Sequence, residues 1–330
     1  MRCVVAGGAG FVGSHLCEAL VARGHKVLCI DNVLTGRLRN LDSLQGSASF
    51  QFLRQDVSFP FAVSGPVDAV LHLASPASPP DYLRFPLETL RVGAQGTERL
   101  LELAAARGAR YLLASTSEVY GDPAIHPQTE EYWGYVNPNG PRSVYDEAKR
   151  FAEALSFAYR RARGVDVRVA RIFNTYGPRM RADDGRVVSN FIVQALSGRP
   201  LTIYGDGGQT RSLCFVADLV DGLLRLLFLD TAPDGPINIG NPEEITILDL
   251  ARLVSKICAT ECSTELRPLP RDDPKRRCPD IALARRLLGW NPQVDARTGL
   301  AATVRYFREA LAAAPTDHSA SVSAHAAGGE

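Results

Sequence analysis

Three things are scarce in this sequence: an excess of charge of one sign, long apolar runs, and any pattern of paired cysteines. Lys and Arg number 37 against 36 Asp and Glu, a net charge of +1. Such a chain builds no field of the kind that draws in nucleic acid or an anionic membrane surface, so neither is expected as a partner. No apolar run approaches the roughly 18 residues that a membrane span needs. Strand-like residues begin at Arg2, directly after Met1, which leaves no room for a signal peptide. The cysteines number seven and scatter from Cys3 to Cys278, an odd count that makes no disulfide framework. Cys258 and Cys262 have helical spacing, but no histidine lies near them to complete a metal set, so they read as buried thiols and no metal is expected. Together these absences predict a cytoplasmic protein. No repeat of fixed period is seen either. What remains is an ordinary globular composition, 45% hydrophobic and 22% charged over 330 residues, enough for about two domains and a sizeable core.

The amino terminus carries the first positive signal. Residues 2–6 are a short apolar run, followed at once by Gly7-Gly-Ala-Gly-Phe-Val-Gly13. Ser14 to Arg23 then has helical spacing, Gly24 ends it, and Lys26 to Ile30 reads as a second strand closing on Asp31. Glycines between a strand and a helix let backbone approach a pyrophosphate, whose charge the helix N-terminus favours. Asp31 follows Gly13 by 18 positions, close to the spacing of a carboxylate that binds the ribose hydroxyls of NAD and repels the extra phosphate of NADP.

Strands at Phe50–Leu53, Ala69–Leu73, Tyr111–Ala114 and Val165–Ile172 continue the alternation, with long helices at Leu87–Arg107 and 143–163. Repeated βα units predict a Rossmann-type α/β fold, a doubly wound parallel sheet. Asp56, after the third strand, suits an adenine contact as well as it suits a solvated loop acid. From Asn174 the texture changes. Helices are expected at Val187–Ser197, 215–228, Ile247–Ala259 and Ile281–Leu288, and Ile237–Gly240 reads as a strand returning to the sheet. The predicted organisation is a sheet domain of residues 1–173 plus about 210–240, and a smaller discontinuous lobe of about 174–209 and 241–311. Residues 312–330 lose periodicity and read as a disordered tail.

Most of the chemistry gathers after the strand at Tyr111–Ala114. Ser115, Thr116, Ser117 and Glu118 fall where that strand ends, and ligands of open parallel sheets bind beyond the carboxyl ends of the strands. Tyr145 and Lys149, four apart on a helix, share one face. By itself that spacing is the spacing of a surface pair; after a dinucleotide turn and a Ser/Thr strand end it reads as a site. Tyrosine, with an ordinary pKa near 10, needs help to act as a base. A lysine ammonium and a cationic NAD⁺ ring nearby are expected to supply it, while Thr116 or Ser117 holds the substrate hydroxyl.

These residues bring a family into view. Gly-Gly-Ala-Gly-Phe-Val-Gly (7–13), His-Leu-Ala-Ser-Pro-Ala-Ser-Pro-Pro (72–80), Ser-Thr-Ser-Glu-Val-Tyr-Gly-Asp-Pro (115–123) and Tyr-Asp-Glu-x-Lys (145–149) resemble the extended short-chain dehydrogenase/reductase family of nucleotide-sugar enzymes. So do Arg-Ile-Phe-Asn-Thr-Tyr-Gly-Pro-Arg-Met (171–180), Asp-Gly-Arg-Val-Val-Ser-Asn-Phe (184–191) and Asp-Asp-Pro-Lys-Arg-Arg-x-Pro-Asp (272–280). The resemblance covers residues 2 to about 311. Relatives that eliminate water, the 4,6-dehydratases, carry Asp where this chain has Ser117, and Arg277 matches the family's catalytic arginine. Both positions resemble the branch that decarboxylates UDP-glucuronate to UDP-xylose and disfavour a dehydratase or a 4-epimerase.

The resemblance implies NAD contacts at Gly7, Gly10, Phe11, Val12, Asp31, Asn32, Thr35, Gly36, Asp56, Val57, Leu73, Ser75, Ala114, Tyr145, Lys149, Thr175 and Arg186. It implies catalytic work by Thr116, Ser117, Glu118, Tyr145, Lys149 and Arg277, and nucleotide-sugar contacts by Asn174, Asn190, Tyr204, Gln209, Arg211 and Arg277. It also implies a homodimer through a four-helix interface of residues 87–107 and 143–163. The alternative chemistry is release of a 4-keto pentose with NADH. A non-enzymatic NAD sensor is disfavoured because Tyr145 and Lys149 are both present. One departure stands out: relatives usually carry Asn at Gly93, where glycine costs about 1 kcal/mol of helix stability relative to alanine and removes a polar group near the cofactor side.

Overall fold

The computed structural model describes residues 1–269 and 276–312. Seven strands form one parallel sheet: β1 Arg2–Ala6, β2 Lys26–Asp31, β3 Phe50–Arg54, β4 Ala69–His72, β5 Arg110–Thr116, β6 Val167–Ile172 and β7 Ile237–Ile239. Their order is β7-β6-β5-β4-β1-β2-β3. Val4 of β1 sits beside Leu28 on one side and Val70 on the other. Chain order therefore reverses between β1 and β4, the crevice where doubly wound sheets bind ligands. Both faces are covered, which is why Cys3–Ala6 and Ala69–Leu71 are continuous apolar runs with no exposure.

The helices are α1 Phe11–Ala22, α2 Pro79–Arg84, α3 Pro86–Arg91, α4 Thr97–Arg107, α5 Ser143–Arg163, α6 Val187–Leu196, α7 Val216–Phe228, α8 Ile247–Cys258, α9 Ala282–Leu288 and α10 Ala296–Ala312. Leu16 and Leu20 of α1 and Leu219, Leu223 and Leu226 of α7 fill the core on one face of the sheet. Leu100, Leu101 and Ala104 of α4 and Ala152 of α5 fill the other. A third core joins α6, α8 and α10 through Phe191, Leu250, Val254, Leu300 and Phe307. That lobe also holds Leu201–Tyr204 paired with Thr264–Arg267, and Thr210–Ser212 paired with Glu244–Thr246.

Four expectations need correction. Leu87–Arg107 is helical, but Val92–Gly96 is a π-helical insert between α3 and α4. Gly93 has a packing reason there: a Cβ would lie 2.6 Å from the Ala148 Cβ of α5. Helix α9 belongs to the sheet domain and not to the lobe, because Ile281, Ala284, Leu288 and Trp290 complete the core beneath α7. Strand β5 runs two residues past the expected end at Ala114, through Ser115 and Thr116. Helix α10 was not anticipated, although Leu300, Val304 and Phe307 carry its spacing, and it includes Ala312. The rest of the expected disordered tail lies outside the described residues, as does Lys275 of the basic run. No helix among the described residues is long and apolar enough to cross a membrane.

Candidate active site

The turn after β1 is built by two tight approaches. Gly7 has φ +83° and its missing Cβ would lie 2.6 Å from the backbone of Leu73 and Ala74. A Cβ on Gly13 would lie 2.1 Å from the Gly7 carbonyl oxygen, so α1 starts closer to the turn than any side chain permits. Asp31 ends β2 against this turn: Oδ2 accepts from the Ala9 N–H at 2.9 Å and Oδ1 from the Val33 N–H at 2.8 Å. Burial pushes its carboxyl up, and these two backbone donors work against that. Asp56 accepts from Asn32 Nδ2 at 3.0 Å. Gly7, Gly10, Asp31, Asn32, Thr35, Gly36, Asp56, Val57, Leu73 and Ser75 line one pocket at this end of the crevice. A cradle that a Cβ would fill, with a carboxylate pair at its far end, fits a dinucleotide.

The pocket opens into a cleft of about 690 Å³ between the carboxyl ends of the strands and the lobe. Phe11, Val12, Ala114, Thr116, Ser117, Glu118, Tyr145, Lys149, Thr175, Arg186 and Arg277 all line it. So do Asn174, Asn190, Tyr204, Gln209 and Arg211 at the lobe end. The structure thus brings every sequence-expected site residue to two adjoining pockets. Several lobe residues are tethered by local bonds: Asn190 Nδ2 donates to the Gly185 carbonyl at 3.0 Å, Gln209 Nε2 to the Tyr204 carbonyl at 2.5 Å, and Arg211 Nη1 to the Thr210 carbonyl at 2.8 Å. Thr175 Oγ1 donates to the Phe173 carbonyl at 2.9 Å.

Electrostatics divide the titratable groups sharply. Lys149 Nζ donates to the Ala114 carbonyl at 2.8 Å and stands 5.9 Å from the Tyr145 ring centre. Burial lowers its ammonium to about 8. Burial likewise pushes the Tyr145 phenol up to about 12, against the pull of Arg186 and of its hydrogen bond with Thr116. In the protein alone the phenol is therefore not lowered as expected, because desolvation outweighs the cations around it. Glu118 goes the other way. Burial would raise it, but Arg277 and Arg142 overcome that and hold the carboxyl at about 2. Its Oε2 accepts from Arg142 Nη2 at 2.9 Å and from Arg277 Nη2 at 3.0 Å. Arg277, only 1% exposed, also donates through Nη1 to the Ser117 carbonyl.

Of the lining residues that the sequence reading did not name, two bear on the chemistry. Tyr82, on α2, stacks on Tyr145 with ring centres 5.3 Å apart and planes within 9°. Arg142 sits at the foot of α5, one turn before Tyr145, and clamps Glu118. Tyr82 lies two residues after the proline-rich segment, and Arg142 lies three residues before Tyr145, so adjacency to motifs was the available signal.

A doubly wound sheet with a glycine cradle and a buried Thr/Tyr/Lys cluster at its switch point defines a dinucleotide-dependent enzyme acting on a hydroxylated substrate. The chain belongs to the NAD dependent epimerase/dehydratase family, whose pattern matches residues 3–240. It is 52% identical over 310 residues to UDP-glucuronic acid decarboxylase 1 of Danio rerio, covering 94% of this chain and 73% of that one. It is 53% identical over 309 residues to UDP-glucuronic acid decarboxylase 2 of Arabidopsis thaliana, covering 94% and 68%. Among solved structures it resembles UDP-glucuronic acid 4-epimerase of Bacillus cereus in complex with UDP-glucuronic acid and NAD, with a TM-score of 0.84, 29% identity, and coverage of 94% and 100%.

Proposed function

We propose that this protein is an NAD-dependent decarboxylase that converts UDP-glucuronate to UDP-xylose and recycles its cofactor. The observation that carries the reading is the 52% identity, over nearly the whole chain, with a UDP-glucuronic acid decarboxylase. NAD, when bound along the glycine cradle, supplies reversible oxidation at C4 of the sugar. Oxidation there places a ketone β to the C6 carboxylate, so carbon dioxide leaves with its electrons delocalised into the carbonyl, and C5 is then protonated.

In this reading the side chains have separate tasks. Tyr145 takes the proton from the C4 hydroxyl and later returns it. Thr116, hydrogen-bonded to Tyr145, aligns that hydroxyl. Lys149 adds positive charge beneath the phenol. Glu118 is anionic at neutral pH and stands where it repels a misplaced carboxylate, while Arg277 and Arg142 keep it there and offer cationic faces to the C6 carboxylate. Ser117 leaves the site without the acid that water elimination needs. The nucleotide end falls to Asn174, Asn190, Tyr204, Gln209 and Arg211.

The reading extends to assembly and compartment. Leu83, Leu87, Leu90 and Phe151, on α2, α3 and α5, are each at least 40% exposed. Such a row of exposed apolar side chains on packed helices supports a homodimer through a four-helix interface. The seven cysteines are all free thiols, six of them buried, which supports a reducing compartment such as the cytoplasm. Phe151→Glu is expected to give a monomer by light scattering; a wild-type monomer at micromolar concentration would refute the dimer.

The function is tested by incubating the protein with UDP-glucuronate, with and without added NAD, and identifying the product by mass and NMR. UDP-xylose is expected, and Tyr145→Phe should lower kcat by at least about 100-fold, the lower end of a general base's contribution, with substrate binding retained. A 4-keto pentose with stoichiometric NADH, or UDP-galacturonate, would each move the chain to another branch of the family.

A further inference from the structure

Outside the cleft, three metal-ligating side chains converge from segments distant in the chain. His126 lies in the loop that follows the turn at Ser117–Tyr120, Glu244 begins the strand Glu244–Thr246, and Cys278 directly follows Arg277. One ligating atom from each lies within 4.8 Å of the other two. His126 Nε2 is 3.0 Å from Glu244 Oε2. Tetrahedral zinc bonds of about 2.0 Å to nitrogen or oxygen and about 2.3 Å to sulfur place ligand atoms roughly 3.3–3.6 Å apart. The trio is therefore within about an ångström of coordinating geometry.

The surroundings hold these groups in place. The Thr210 hydroxyl donates to Glu244 Oε1, orienting the carboxylate as outer-shell donors do at metal sites. Cys278 N–H donates to Gln128 Oε1 at 2.9 Å, and Gln128 N–H donates to the Cys278 carbonyl at 2.8 Å. The segments bearing His126 and Cys278 are thus stitched together by a fully buried glutamine. The thiol donates to the Pro242 carbonyl at 3.4 Å, so its sulfur sits on the same side as the strand carrying Glu244. A solvent-exposed His–Glu pair alone is an ordinary surface contact; a thiol within reach of both is what distinguishes this corner.

We propose that His126, Glu244 and Cys278 form a binding site for a zinc-class divalent cation, with water as the fourth ligand. Imidazole nitrogen, carboxylate oxygen and thiolate sulfur together favour a borderline ion over calcium or magnesium. As the sulfur–metal bond forms, the Cys278 proton leaves to solvent, and the two anionic ligands neutralise the dication. Coordination at Cys278 would fix the adjacent Arg277, and with it the clamp on Glu118. The site is independent of the decarboxylase reading, since none of the three ligands lines the cleft.

Titrating the full-length, metal-free protein with Co²⁺ tests this. One equivalent is expected to give a near-ultraviolet thiolate-to-cobalt charge-transfer band and intense visible bands of tetrahedral cobalt, both displaced by Zn²⁺. Cys278→Ser should abolish the charge-transfer band, while Cys262→Ser, at the one cysteine that is not fully buried, should retain it. His126→Ala and Glu244→Gln, both at exposed positions, should each weaken Co²⁺ binding at least 10-fold. Zn²⁺ should raise the unfolding temperature of the wild type but not of these variants. Cobalt binding without the thiolate band, a band that survives Cys278→Ser, or no binding at all would overturn the proposal.

Discussion

Replacing Glu118 by Gln removes one charge at nearly constant size from a carboxylate that two arginines grip. Folding moves this carboxyl from 4.5 to about 2. A carboxyl held that far below its ordinary value favours the ionised form by about 3 kcal/mol. The same figure is reached from the other side: leaving a buried charge without its counter-ion costs about 3–5 kcal/mol, and Arg277, only 1% exposed, would lose the anion it faces. Glu118→Gln is therefore expected to lose about 3 kcal/mol in urea unfolding at neutral pH. The sign of the pH dependence follows from the depressed value. The stabilisation is complete above the unfolded pKa, near 4.5, and is lost as pH falls through about 2, because the unfolded chain takes up the proton first. Glu118→Gln should remove that acid-side slope, and a double-mutant cycle with Arg142→Ala should show coupling of at least about 0.5 kcal/mol. A variant as stable as the wild type, with the same acid limb, would refute an arginine-clamped anion at this position.

Two further substitutions test the close approaches around the cofactor cradle. Gly13→Ala places a Cβ 2.1 Å from the Gly7 carbonyl oxygen, so a loss of about 1–3 kcal/mol and weakened NAD binding by fluorescence titration are expected; unchanged binding would show that the turn tolerates a side chain. At Gly93 two effects compete. Alanine gains about 1 kcal/mol of helix propensity, but its Cβ would lie 2.6 Å from Ala148 Cβ on a helix that cannot yield as a flexible side chain would. Net destabilisation of Gly93→Ala by thermal unfolding is the expected sign, and a stabilised variant would mean that propensity wins.

What could be read from the sequence was whatever physics confines to short spans. The turn at 7–13, the polar end of β5 and the Tyr145/Lys149 pair are local patterns, and each lies where its spacing placed it. The helix at 143–163 matches to the residue because its apolar stripe is long and its end at Gly164 is marked by a left-handed glycine. The π-helical insert at Val92–Gly96 was not legible, since it follows from how tightly α5 passes Gly93. Nor was the placement of α9, whose apolar residues are equally ready to face either core. The Arg142–Glu118–Arg277 clamp joins positions 24 and 159 apart. No window along the chain contains it, and the His126–Glu244–Cys278 cluster escaped for the same reason.

The opposed shifts of three groups along the cleft argue for a division of labour that the motifs alone left open. Glu118 at about 2 holds no proton at neutral pH, so it cannot serve as a resident acid. Tyr145 at about 12 keeps its proton until more positive charge arrives beside it. Lys149, lowered to about 8 by burial, is near enough to neutrality for small changes around it to alter its charge. Environments that push neighbouring groups this far apart are how one site supplies both an acid and an anion at the same pH. In the proposed reaction the phenol is then the proton carrier, and the carboxylate is a fixed charge whose task is to place the substrate. It follows that Glu118→Gln should raise KM more than it lowers kcat, whereas Tyr145→Phe should act on kcat. If Glu118→Gln instead abolished kcat and left KM unchanged, proton transfer would have to pass through Glu118, and the assignment built on its low pKa would be wrong.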